Sequence, residues 1–293
     1  MVTGGSRAIP SWFGIAAPDA NLGEVDVKGY EMVLSGNRQL GDVFLNARLT
    51  YSHVEDVVVF KDDPELKPDY QKAAGHAIGQ TYALIQGDMI KNWDDVYMST
   101  ALADGQESKR IGYYDVIDFN CDGNVNSTYD NVPYGYPNRP QNTWTFDIGG
   151  TYKGFSLSVQ FYGQNNITRV YNLNDHVNGQ RMYFWENADV WTPENPDGTN
   201  TYTAWNLTKA TNNPQKFIYD GSMVRLKMVE ASYTFPKKVS ARLGVKNLRL
   251  FVNGYNLALW TDLPDDRDFN GGNDYRGGYP TFKRFNVGFN MDF

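Results

Sequence analysis

The 293 residues carry 27 Lys and Arg against 34 Asp and Glu, a net charge of −7 with no basic block, which excludes the electrostatic footprint that nucleic acid requires. Hydrophobic residues make up 41% of the chain, yet no apolar run approaches the roughly 20 residues of a membrane helix, so a helical membrane protein is excluded as well. The 20 Tyr, 16 Phe, 7 Trp and 28 Gly instead suit twisted strands, tight turns and interfacial aromatic rings, and a single Cys121 forbids an internal disulfide.

Met1 to Pro10 has neither the basic start nor the apolar stretch of a secretory leader. The first strand is expected over Val25 to Gly36. In the next, Val43, Leu45, Ala47, Leu49 and Tyr51 alternate with Phe44, Asn46, Arg48, Thr50 and Ser52, which puts Arg48 on a polar face. Gly75 to Gly87 is strand-like but is assigned to a loop region. Trp144, Phe146, Ile148, Gly150 and Tyr152 alternate with Thr145, Asp147, Gly149 and Thr151, and after the turn Lys153-Gly154 the pattern repeats through Phe155, Leu157, Val159 and Phe161. In Met223 to Phe235 the apolar parity runs through Val224, Leu226 and Met228 and resumes at Val229, Ala231 and Tyr233. That slip predicts a bulge or a membrane boundary. Asn247 to Leu257 follows. The last strand, Phe282 to Phe293, alternates Phe285, Val287, Phe289, Met291 and Phe293 with Asn286, Gly288, Asn290 and Asp292.

Links between these strands alternate in length. Short ones fall at Ser35 to Gly41, Lys153-Gly154 and Pro236 to Lys246, and long ones at Lys61 to Gln141, Gln164 to Ser222 and Ala258 to Thr281. Short periplasmic turns opposed to long external loops are the habit of outer-membrane barrels. The reading is therefore an all-β antiparallel transmembrane barrel with about seven spanning strands. Seven strands cannot close alone in lipid, so residues 1–293 are expected to be the C-terminal part of a larger barrel whose other strands precede Val25. A secreted or surface carbohydrate-binding or adhesin β-domain is the alternative, with the same apolar faces buried in a core.

One loop has a metal-like pattern. Asp118, Asn120, Asp122 and Asn124 alternate, Gly123 sits at the sixth position, and Asp130 falls one place beyond the usual closing acid, where Tyr129 stands. This spacing fits structural Ca²⁺, and equally an Asx-rich turn without metal. His53, His76 and His176 have no ligand spacing, and no nucleophile elbow or paired base is present, so no enzyme activity is expected. Glu186, Asp189 and Glu194 read as a solvated loop face. Trp185, Trp191 and Trp205, with Tyr134 and Tyr136, lie in the long loops, where they suit stacking on sugar rings or peptide side chains, or simple loop packing. Trp144, Tyr152 and Trp260 suit interfacial girdles, and Asn46, Arg48, Asp147, Gln160, Asn286, Asn290 and Asp292 a wet lumen.

Several stretches, in order, resemble the C-terminal part of SusC/RagA-type TonB-dependent outer-membrane transporters of Bacteroidetes. They are Val27 to Glu31, Gly112 to Gly123, Pro137-Asn138-Arg139-Pro140, Tyr152 to Ser158, Ser222 to Val229, Tyr233 to Pro236, Val252 to Leu257 and Tyr279-Pro280, closed by a terminal aromatic. The resemblance implies a barrel of about 22 strands, with an N-terminal plug and TonB box that these residues do not include. It further implies TonB-dependent uptake of oligosaccharide or oligopeptide, a SusD-like lipoprotein lid, and contact with TonB through the N-terminal part. Phe285, Val287, Phe289, Met291 and Phe293 would then form the signal read by the barrel-assembly machinery, with outer-membrane lipid around them.

Overall fold

The computed structural model describes residues 2–4, 12, 14, 19–21, 23–102, 109, 111–112, 114–170, 192–198, 218–263 and 281–293. Seven strands form one antiparallel sheet: β1 (Gly23–Leu40), β2 (Val43–Lys61), β3 (Asn142–Tyr152), β4 (Phe155–Asn165), β5 (Met223–Thr234), β6 (Asn247–Thr261) and β7 (Arg284–Asp292). Each pairs with its chain neighbours, in an unbroken meander from β1 to β7. No described helix is long and apolar enough to cross a membrane.

The ladder registers carry the sequence alternation across the sheet. One row reads Leu45, Gly150, Leu157, Ala231, Val252 and Val287, and the next reads Val43, Tyr152, Phe155, Tyr233, Leu250 and Phe289. Because strand side chains alternate with period two, such rows form one continuous apolar face. Among the described residues no second sheet packs on it: Phe285 is 70% and Val287 76% exposed. A soluble sandwich would have covered them, so the carbohydrate-binding or adhesin alternative does not fit this face.

Aromatic side chains bound the face at two heights. Trp144 lies in one row with Tyr51 and Trp260, while Tyr152, Phe155 and Tyr233 lie in another, eight residues away along β3. Eight residues span roughly 27 Å along a strand, which a tilt of about 40° reduces to about 20 Å of bilayer depth, close to the hydrocarbon-facing band of a barrel. Trp144 lies across Gly163 of the next strand, where an added Cβ would run into the indole ring.

All three short links lie at one end of the sheet. The link placed at Ser35 to Gly41 is shorter than the sequence suggests: β1 pairs through Leu40 with Val43, leaving Gly41-Asp42 as the turn, with Gly41 at φ +61°. Ser35, Asn37 and Gln39 look loop-like but fill the polar parity of the strand. Lys153 and Gly154 both take positive φ, 46° and 91°, as a two-residue turn between right-twisted strands demands. The third link holds a helical turn, Lys237–Arg242.

The parity slip in β5 is a bulge. Pairing of β5 with β6 passes from Leu226↔Ala258 to Met228↔Tyr255, so Lys227 faces an extra residue, and Asn256 takes φ +54°. Met228 consequently turns to the polar face, while Val224 and Leu226 stay in outer rows with Val229, Ala231 and Tyr233. β6 accordingly continues past Leu257 to Thr261, further than its alternation predicts. β7 starts later than expected, at Arg284.

Apart from Val58 on β2 and Met223 at the start of β5, the buried apolar side chains among the described residues lie outside this sheet, mostly in a layer folded from the long loops. There Gln80–Leu84 pairs with Asn131–Pro137, and Leu84, Val116 and Val125 form a small core against Leu102. Gly75 to Gly87 thus stays out of the seven-stranded sheet, as the loop alternation requires.

Replacing Gly163 by Ala forces the Trp144 ring off its seat, and overpacking of this kind costs about 1–3 kcal/mol. The complete barrel carrying G163A should unfold at lower urea concentration than wild type, read by loss of heat-modifiable migration on gels; an unchanged midpoint would contradict the seating.

Candidate functional site

The second face of the sheet is polar, and two clusters stand out on it. Arg48 on β2 lies opposite Asp147 on β3, which lies opposite Gln160 on β4, and the Gln160 Nε2 donates to Asp147 Oδ1 at 2.7 Å. Towards the short turns, Arg249 meets Glu230 at 2.5 Å and donates to Ser232 Oγ at 3.0 Å. Asn253 Nδ2 donates to Glu230 Oε2 at 3.4 Å, and Asn286 Nδ2 to Asn253 Oδ1 at 2.8 Å. Every residue assigned to the lumen, Asn46 and Asn290 and Asp292 included, is on this face. The Glu230, Arg249 and Asn253 group escaped the sequence reading. Its signal is the alternation of Arg249, Phe251 and Asn253 with Leu248, Leu250 and Val252. These side chains can bind and orient a hydrated polar solute or a polar protein surface.

Above the sheet, the Asp118 loop is drawn together by its own backbone. Asp118 accepts from the amides of Asp122 and Gly123 at 3.2 and 2.7 Å, Asn120 from Asp122 at 3.0 Å, and Asp122 from Asn124 at 2.9 Å. Gly123 bends the chain at φ +90° and Cys121 at φ +60°. Asp130, one place late for a twelve-residue metal loop, is fully buried. It accepts from Phe119 and Asn120 with one oxygen and from Asn126, at 2.7 Å, with the other. The structure therefore brings Asp118, Asn120, Asp122, Asn124 and Asp130 into one loop, in which the side-chain oxygens of Asp118, Asn120, Asp122 and Asp130 face amide donors. Among the described residues, no group of three or more His, Cys, Asp or Glu is arranged to hold a metal ion.

Tyr70 ties this loop to the layer below by donating to the Tyr129 carbonyl at 2.5 Å. Burial, reinforced by the Asp130 and Asp122 carboxylates, pushes the Tyr70 hydroxyl above the ordinary 10.0. A raised phenol pKa keeps that tie intact below the unfolded value; it is lost only as pH rises through the folded one.

Of the aromatic candidates, Tyr134 and Tyr136 lie on Asn131–Pro137. The amide of Tyr136 donates to Thr168 Oγ1 at 2.7 Å, and its side chain is exposed. Trp185, Trp191 and Trp205, and with them His176, Glu186 and Asp189, lie outside the described residues. Pro137 to Pro140 serves the packing of the loop layer, because the Asn138 side chain fills the space where Gly79 has no Cβ and the Asn138 amide donates to the Gly79 carbonyl. His53 is bound to Asn142 Oδ1 at 2.5 Å, and His76 packs edge-on to Tyr82.

No family model matches the chain. It is 27% identical over 314 residues to TonB-dependent receptor P3 of Formosa agariphila, covering 98% of this chain and 30% of that protein. TonB-dependent receptor P26 of the same organism is 28% identical over 312 residues, covering 97% and 31%. The chain is a relative of the TonB-dependent receptors. Among solved structures, the RagAB peptide importer in its closed-closed state aligns with a TM-score of 0.69 at 17% identity, over 99% of this chain and 32% of that one. The open-open state gives 0.70 at 17%, over 100% and 31%. The chain thus spans about a third of the length of the proteins it matches. Its fold is a section of a larger transmembrane β-barrel, and its place is the outer membrane.

Removing the Asp130 carboxylate leaves three partly buried amides without their acceptor, at up to about 1–3 kcal/mol each. D130A in the complete receptor should speed limited proteolysis between residues 118 and 130 at least tenfold; equal cleavage rates would contradict the bracing role.

Proposed function

We propose that these seven strands form part of the wall of a TonB-dependent importer, with the polar face lining its interior. The observation that carries this reading is the division of one continuous sheet into an apolar face between two aromatic rows and a face holding the Arg48–Asp147–Gln160 and Glu230–Arg249–Asn253 clusters. Uptake driven by TonB, a plug in the interior, a SusD-like lipoprotein over the external loops and delivery by the barrel-assembly machinery all follow as properties of the whole receptor. The relatives are named as receptors and an importer, in keeping with transport rather than catalysis.

For the cargo, an oligopeptide has the support of the structural likeness to a peptide importer, and an oligosaccharide suits the same aromatic loops. Tyr136, exposed and anchored through Thr168, is the described residue best placed to stack on either. Y136A in the complete receptor should weaken cargo binding up to about tenfold without changing its level in the membrane. Titration calorimetry against peptide and glycan pools would decide between the cargo classes, and unaltered affinity for both would remove Tyr136 from the site.

We propose Ca²⁺ as an added brace for the Asp118 loop, bound through the second lone pairs of side-chain oxygens of Asp118, Asn120 and Asp122 that each already accept from one amide. Millimolar Ca²⁺ should then slow proteolysis of the wild-type loop, and chelator should reverse it. Protection that ignores both would leave the loop as an Asx turn.

A further inference from the structure

The outer face carries a depression that the uptake reading does not use. A cavity of about 750 Å³ opens beside the lower aromatic row, lined by Leu45, Gly150, Leu157, Ala231, Tyr233 and Val252 among others. The registers explain it: Gly150 and Ala231 occupy a row that Leu and Val otherwise fill from β2 to β7, between taller neighbours Ile148 and Tyr152 on one strand and Val229 and Tyr233 on another. The two missing side chains leave a trough wide enough for a hydrocarbon chain, on a face that meets lipid.

The end of the sheet next to this trough is cationic. At the short-turn end stand Lys153, Lys237, Lys238, Arg242 and Lys246, the last donating to the Phe293 carbonyl at 2.6 Å, against Asp42 and Asp292, in a chain whose net charge is −7. Lys153 adjoins the trough residue Tyr152, lies over its ring at 5.2 Å, and stays exposed although Asp42 is 3.4 Å away. Arg38 is placed on the outer face by its pairing with Leu45, in the trough's own row. A guanidinium on a lipid-facing strand near the interface extends along the strand to reach the headgroups. Apolar trough and cationic rim are therefore stacked in the order of a glycerophospholipid's parts, acyl chain inside and phosphate at the boundary.

We propose that this face holds an anionic glycerophospholipid of the periplasmic leaflet, one acyl chain lying over Gly150 and Ala231 and the phosphate between Arg38 and Lys153. The lipid acts as a filler for the depression and as a counter-ion for the basic turns. The inference rests on the orientation of the sheet in the membrane and not on what is transported.

The test uses the complete receptor in nanodiscs of phosphatidylethanolamine with one part in five phosphatidylglycerol, and in discs of phosphatidylethanolamine alone, followed by native mass spectrometry of retained lipid. Wild type should retain phosphatidylglycerol in excess of its share. Gly150 has no left-handed φ, and a Cβ there meets only Leu45 Cδ2 at 3.0 Å and a carbonyl at 3.5 Å. G150L should therefore fold and fill the trough, and lose the retained lipid. R38Q/K153Q should keep acyl binding but lose preference for the anionic headgroup by about fivefold or more. Heat-modifiable migration checks that each variant is folded, and A231L, which fills the trough from the next-but-one strand, replaces G150L if that variant is not. Retention in proportion to the disc composition, or lipid loss from neither folded trough variant, would overturn the proposal. A loss of transport with lipid retention intact would strike the uptake reading alone.

Discussion

In hydrocarbon a backbone N–H has no water to fall back on, and this requirement governs the whole chain. Each amide and carbonyl within the membrane must find its partner on an adjacent strand. The response is an uninterrupted meander in which every strand pairs with its sequence neighbours, over eleven register positions between β3 and β4 and eleven between β2 and β3. Once the ladder is fixed, side-chain parity is fixed with it, because a one-residue slip would carry Arg48 and Asp147 into lipid. The polar clusters and the apolar band are two consequences of one register.

That dependence explains why the irregularities fall where they do. The bulge at Lys227 costs an unpaired residue in β5, yet it restores Val229, Ala231 and Tyr233 to the outer rows after Met228 turns inward. Asn256 absorbs the matching distortion at positive φ, and Leu257 then folds over Gly254, where a Cβ would come within 2.7 Å of it. An Ala at 254 would have to displace that leucine. The glycine and the bulge therefore act together to keep the apolar face filled while the ladder shifts. At the ends of the strands, where water returns, the constraint lapses, and the chain builds ordinary loop structure with its own buried residues.

The sheet was legible in the sequence because alternation and ladder register express the same period. Strand order, the polar side of Arg48, Asp147 and Asn286, and the end at which the short links gather all followed from parity and loop length. What escaped is what parity does not encode. The β1–β2 turn closes two residues after Leu40 because Ser35, Asn37 and Gln39 belong to a polar-facing alternation that composition alone reads as loop. The Glu230–Arg249–Asn253 cluster needed the inter-strand register, since its members are 19 and 23 residues apart from Glu230. Asp130 falls one place late for a metal loop, and parity says nothing of the three backbone amides its two oxygens accept from. A spacing rule counts oxygens, whereas the backbone decides which of them are free.

Two different solvents act on this one chain, and the division of its core follows from them. In the membrane band the apolar side chains gain nothing by leaving lipid, so burial cannot stabilise the sheet there as it does a soluble core; pairing of the backbone and close packing must. Outside, water restores the hydrophobic driving force, and Leu84, Val116, Val125 and Ile167 are buried accordingly. The external layer can thus be altered by substitutions at its own small core or at Asp130 while the ladder below keeps its register. The outer edge of β1 and that of β7 lack partners among the described residues. Since the same rule that orders the other strands forbids a bare edge in lipid, the stability of this sheet belongs to the closed barrel, and so does any property read from its inner face.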